Sequence, residues 1–121
     1  MKRLGRKKNA AVKYVEGCCC PVAIGPLGRG DAREYARWFQ ALADPTRIRI
    51  LNLLAANREA VCVCDIVERF AVGQPTISHH LKILRKARFV FSERRGTFKY
   101  YRVNRKCLAE FPNAARLIMN V

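Results

Sequence analysis

The stretch Val61–Leu84, VCVCDIVERFAVGQPTISHHLKIL, decides how the rest of the chain is read. Cys62 and Cys64 stand immediately before a short helical segment, a turn centred on Gly73 follows, and a second helix opens with Gln74-Pro75-Thr76. Proline suits the first helical turn, where its missing N–H is not needed, so the second helix is predicted to start near Pro75 with Gln74 near the cap. At about 100° per residue, Ile77, Leu81 and Leu84 share one face, while Ser78, His79, Lys82 and Lys86 fall roughly opposite. A polar, basic, hydroxyl-bearing outer face is what a helix needs to enter a major groove and meet base edges and phosphates. An ordinary solvated surface helix would carry the same pattern, so the flanking segments must decide.

Downstream, Phe89 to Glu93 and Phe98 to Val103 are rich in aromatic and β-branched residues, with Arg94-Arg95-Gly96-Thr97 between them. They read as a β-hairpin. Its Arg94, Arg95, Lys99 and Arg102 form a basic wing beside the second helix, suited to phosphate contact. The expected fold is therefore mainly α with a β-hairpin wing, a winged helix-turn-helix. The candidate DNA contacts are Gln74, Thr76, Ser78, His79 and Lys82 on the helix and Arg94, Arg95 and Lys99 on the wing.

Upstream, Asp31 is the expected N-cap of a first helix in which Tyr35, Trp38, Phe39 and Leu42 follow i, i+3, i+4, i+7 spacing. That helix should stop at Asp44-Pro45. A second, from about Thr46 to Ala56, carries Ile48, Ile50, Leu51, Leu53 and Leu54 around much of its circumference and should be buried. At the other end, Asn104 is expected to cap a last helix carrying Leu108 and Phe111, which Pro112 bends or ends. Leu117, Ile118 and Met119 then supply an apolar patch for the first helix or a second subunit.

With 121 residues and 50% hydrophobic content, the chain can bury one compact core. Two parts are expected: a basic, Cys-containing extension over 1–30 and the winged helix-turn-helix domain over 31–121. Lys and Arg number 24 against 9 Asp and Glu, a formal net charge of +15. Such a field attracts polyanions, nucleic acid first among them. No apolar run approaches the roughly 18 residues of a membrane span, and the basic N-terminus leads into no apolar leader region. The expectation is a cytoplasmic protein with no membrane partner, whose residues 1 to 13 are disordered in isolation.

Six cysteines in such a compartment read as thiols for metal or redox work, not as a disulfide framework. Inside a helix, Cys62 and Cys64 would be turned about 200° apart and could not share an ion. On extended chain they lie on one side, so the pair is expected to work only if the helix begins at or after Cys64. Asp65 followed by Glu68 supports a start near 64 or 65. Cys18, Cys19 and Cys20 fall on a Pro- and Gly-rich segment, expected to be a linker and free to wrap an ion. Cys107 fits a small buried hydrophobe. Thiolates favour soft ions: As(III), Sb(III), Cd(II) and Pb(II) fit best, and zinc is also accepted by such donors. His79 suits DNA contact and His80 core packing.

Taken together, Ala41-Leu42-Ala43-Asp44-Pro45-Thr46-Arg47-Ile48-Arg49-Ile50-Leu51, Cys62-Val63-Cys64-Asp65 and Gln74-Pro75-Thr76-Ile77-Ser78-His79-His80-Leu81 closely resemble the ArsR/SmtB family of metal-responsive winged-helix repressors. The likeness runs from about Gly17 to Cys107. It implies a homodimer that binds operator double-stranded DNA and lets go when a metal or metalloid binds. The CVCD element resembles the arsenic and cadmium/lead branches. Cys19-Cys20 ahead of Gly25-Pro26-Leu27 is similar to arsenite repressors that draw ligands from an N-terminal extension, with Cys18 an additional thiol. Three features depart from the family. Val67 stands where the best-known arsenic sensors carry a third cysteine, and the last helix lacks the histidine and carboxylate pattern of the zinc-sensing branch. Arg88 stands where relatives usually place a glycine, at a position that often needs a left-handed backbone.

The function expected is thus a non-enzymatic repressor released when Cys19, Cys20, Cys62 and Cys64, with Cys18 nearby, capture arsenite or antimonite. The alternatives are a cadmium/lead-responsive repressor of the same fold and a thiol-based redox-sensing repressor. An arsenate-reductase-like enzyme is disfavoured, because C-x-C lacks both the C-x-x-C spacing and the phosphate-type loop.

Overall fold

A computed structural model of the chain describes residues 12–14, 21–23 and 27–121. The basic residues up to Lys8, the three cysteines at 18 to 20 and Gly25-Pro26 lie outside the described residues. Two short strands, β1 (Val12–Tyr14) and β2 (Pro21–Ala23), pair antiparallel with Lys13 opposite Val22. The expectations of a disordered segment through residue 13 and of an unstructured linker are corrected there. β2 lies against the last helix and the first, which supplies the packing that local composition does not reveal.

Helix α1 (Arg29–Ala41) begins earlier than Asp31. Gly28 is the cap residue, and the Asp31 carboxylate reaches back to accept the Gly28 N–H at 3.3 Å. An acid three residues into a helix can satisfy the cap amide from inside, so Asp31 stabilises the start without marking it. Helix α2 (Pro45–Ala55) has Asp44 as N-cap, its carboxylate accepting the Arg47 N–H at 3.0 Å, with Pro45 in the first turn. Ile50 and Leu54 are fully buried, but Ile48 is 52% exposed, so this helix faces the core on one side only.

The chain then forms β3 (Val61–Cys62), helix α3 (Val63–Arg69), helix α4 (Gln74–Lys86), the hairpin strands β4 (Val90–Arg95) and β5 (Phe98–Val103), and helix α5 (Arg105–Met119). The sheet order is β3-β5-β4, antiparallel, with Val61 opposite Tyr101 and Cys62 opposite Tyr100. The hairpin loop is shorter than expected: Arg94 and Arg95 belong to β4, and only Gly96-Thr97 turn the chain. Gly96 takes φ +65°, the positive φ that tight hairpins need at the first loop position.

Helix α5 continues through Pro112, which sits exposed, and reaches Met119. Proline therefore does not end this helix. In the core, Trp38 packs edge-on against Tyr35 at 5.2 Å between ring centroids and touches Phe89 and Phe111, fastening α1 to α5 and to the start of the hairpin. Ile66 of α3 and Ile77, Leu81 and Leu84 of α4 are fully buried in the same core. Ile118 packs against it, whereas Leu117, Met119 and the neighbouring Phe39 of α1 remain exposed. No described helix is long and apolar enough to cross a membrane.

Candidate nucleic-acid interface and thiol pair

The sequence order around the cysteines dictates an N-cap made by sulfur. Cys62 is extended (φ −66°, ψ 140°) and ends β3, and α3 starts at Val63. Its Sγ accepts the Cys64 N–H at 3.4 Å, the bond a serine or aspartate side chain makes at other helix starts. The helix thus begins one residue before Cys64. The expectation that a start at or after Cys64 was needed is corrected: it suffices that Cys62 lies outside the helix. The two Cα atoms are 5.2 Å apart and the two sulfurs are in direct contact. Cys62 is buried while Cys64 is exposed. Among the described residues no group of three or more His, Cys, Asp or Glu side chains could hold a metal ion. Cys107, on α5, is fully buried, as expected of a small hydrophobe, but its sulfur also has a bonded partner, which packing alone does not explain.

Helix α4 presents the face that its periodicity predicts. Gln74, Thr76, Ser78, His79 and Lys82 are exposed, opposite buried Ile77, Leu81 and Leu84. Between α4 and the hairpin runs a cleft of about 580 Å³, and Gln74, Ser78, Lys82, Arg94 and Lys99 line it together with Cys64. Thr76 and His79 are exposed outside it. Arg95 also lies outside, donating to the Glu93 carboxylate at 2.8 Å and stacking over the Tyr100 ring at 4.4 Å. The bond to Glu93 holds the Arg95 guanidinium above its ordinary pKa, so it stays a cation.

Sequence reasoning missed Arg85, Thr97, Phe98 and Tyr101, which complete the cleft. The signal for Arg85 was available, since it follows Ser78 and Lys82 at i+7 and i+3 on one helical face. Burial pushes the Tyr101 phenol above its ordinary pKa, keeping it a neutral hydroxyl.

His80 packs inward, its side chain 13% exposed, but it serves as a polar link. Its Nδ1 lies 3.2 Å from an Arg47 guanidinium nitrogen and 3.9 Å from the Asp44 carboxylate. Arg47 also donates to the Ala41 carbonyl at 2.7 Å, tying the α1–α2 corner to α4. The Arg47 amide is the main cause of a lowered Asp44 pKa.

At the far end of α4, Arg88 adopts φ +65°. Its N–H donates to the Arg85 carbonyl and the Phe89 N–H to the Leu84 carbonyl, the paired bonds of a Schellman cap. The Asn104 side chain, 2% exposed, donates to the Arg88 carbonyl at 3.0 Å while accepting the Cys107 N–H at 3.3 Å.

Comparison with known proteins gives the same picture. The model for bacterial regulatory proteins of the arsR family matches residues 44–92. The chain is 44% identical over 72 residues to an arsenical resistance operon repressor from Bacillus subtilis, covering 60% of this chain and 68% of that protein. It is 31% identical over 95 residues to a cadmium resistance transcriptional regulatory protein CadC homolog from Staphylococcus aureus, covering 78% of each. Among solved structures it is similar to the homodimeric winged helix-turn-helix DNA-binding domain of a possible ArsR-family regulator from Mycobacterium bovis. There the TM-score is 0.61 and the identity 28%, over 79% of this chain and 89% of that one.

Proposed function

This chain belongs to the arsR family and is a metalloregulatory transcriptional repressor, and from that premise we propose that trivalent arsenic or antimony, taken up by Cys19, Cys20, Cys62 and Cys64, releases it as a homodimer from operator DNA in the cytoplasm. The observation that carries this reading is the adjacent sulfur pair at the start of α3, one thiol buried as the cap and one exposed. Two sulfurs hold a thiophilic ion incompletely, since trivalent arsenic binds three. As Val67 supplies no third thiolate, the third donor comes from the N-terminal cluster, Cys19 or Cys20 first with Cys18 beside them, and a fourth thiol, from that same cluster, stands in reserve. Each sulfur that binds arsenite replaces one hydroxide, and the thiol proton leaves with that hydroxide as water.

DNA reading falls to Gln74, Thr76, Ser78 and His79 at base edges and to Lys82, Arg94, Arg95 and Lys99 at phosphates. One recognition helix per subunit reads a half-site, so the operator is near-palindromic with half-sites about one helical turn, or a multiple, apart. The domain division proposed is an inducer-binding extension over 1–30 and the DNA-reading domain over 31–121.

A cadmium/lead sensor uses the same two clusters with four thiolates, and the likeness to a cadmium resistance regulator favours keeping it as the second reading. Sulfur contact within the CVC pair also suits a redox switch. Titrating the reduced protein–operator complex separately with arsenite, cadmium and peroxide separates the three. Release by arsenite at the lowest concentration is the expected result. Release first by cadmium transfers the assignment to that ion, and release by peroxide alone replaces metal sensing with redox sensing.

A further inference from the structure

Resting on the repressor reading, we propose that Cys64 lies inside the DNA-phosphate site itself, so that duplex DNA and a thiol-bound inducer occupy one cleft and exclude each other. Cys64, the exposed member of its pair, shares the cleft of about 580 Å³ with Ser78, Lys82, Arg85, Arg94 and Lys99. Four of those residues are cations, and no carboxylate lines the space. Arg94 and Lys99 are direct cross-strand partners, an arrangement of like charges that destabilises a hairpin unless an anion lies between them. The cleft is therefore charged for a phosphate before any ligand arrives.

Cys64 sits in the first turn of α3, held there by the cap bond to Cys62 and by the pairing of β3 with β5. A phosphate seated among Lys82, Arg85, Arg94 and Lys99 covers the thiol. An inducer held on Cys64 takes the space where the phosphate goes. Release is then competitive at the cleft, needing no conformational signal relayed from a distant site. By linkage, whatever factor DNA takes from thiol reactivity, a modified thiol takes from DNA affinity.

The experiment measures alkylation of Cys64 in reduced protein by N-ethylmaleimide, followed by peptide mass spectrometry, with and without a duplex selected from a randomised pool for tight binding. With the duplex at about ten times its Kd, roughly a tenth of the clefts are free, so Cys64 should react about tenfold more slowly. Cys64 is exposed and reacts from the folded state, so stabilisation of the fold by DNA does not by itself produce that slowing. Buried Cys62 serves as the slow internal reference. Protein already carrying the maleimide on Cys64 should bind the duplex correspondingly weakly. An unchanged Cys64 rate, in a sample whose gel shift shows the duplex bound, overturns the shared cleft and leaves the repressor reading standing. If no duplex in the pool binds, both fall.

Discussion

The wing-facing side of the recognition helix and its C-terminal cap are built on opposite principles. Along its wing-facing side, cations gather without carboxylates, Arg94 faces Lys99, and a thiol stands exposed. At its C-terminus every feature is compensated: Arg88 is held in a left-handed conformation by two cap bonds, and Asn104 closes over it with bonds in both directions. The first region stores unsatisfied charge that a polyanion can satisfy. The second closes the turn from helix into hairpin with bonds of its own. DNA affinity and fold stability should therefore respond to different substitutions.

Lys99→Glu should show the largest separation. It places opposite charges across the hairpin at Arg94, which stabilises such a pair by about 0.2–1 kcal/mol. It also removes the phosphate contact proposed for Lys99, so duplex affinity should fall at least about tenfold for all sequences and the salt slope should lose about one unit. Salt-dependent binding and a denaturation curve on one preparation check both halves. A parallel loss of stability and affinity would erase the contrast.

Asn104→Ala should do the reverse. Losing the cap and leaving the Arg88 carbonyl unpaired should cost about 2–3 kcal/mol, read as a lowered urea midpoint, while the folded fraction binds DNA as before. Arg88→Gly has a smaller effect of the other sign. Glycine adopts positive φ without the Cβ penalty, so the variant should gain about 1 kcal/mol. A melting temperature that stays put or falls would show that the arginine relieves its own strain through contacts at this corner.

Periodicity made α4 legible, face by face, because a helix packed on one side must repeat its apolar residues every three or four positions. The hairpin followed from two β-branched, aromatic runs. Arg88 was legible only through the glycine that relatives place there. Strand β3 was not legible: two residues carry no period, and they become a strand only because Tyr100 and Tyr101 are there to pair with them. Ile48 misled because a helix apolar on several sides does not say which side the core will cover. The capping role of Asn104 was readable locally, but its second bond spans 16 residues of sequence. At the site, spacing brought Cys62 and Cys64 together. That Cys64 faces Lys82 and Lys99 depends on how the wing folds back, and no local pattern encodes it.

The central claim is that induction joins the N-terminal thiols to the pair at the start of α3. Cys19→Ser combined with Cys20→Ser tests it most directly, in a gel shift with operator DNA and increasing arsenite. The account predicts that the double variant binds the operator as tightly as the natural chain and stays bound at arsenite concentrations that release the natural chain completely. Release of the double variant at the natural chain's arsenite concentration would contradict it, and would place the sensing site on Cys62 and Cys64 without the extension.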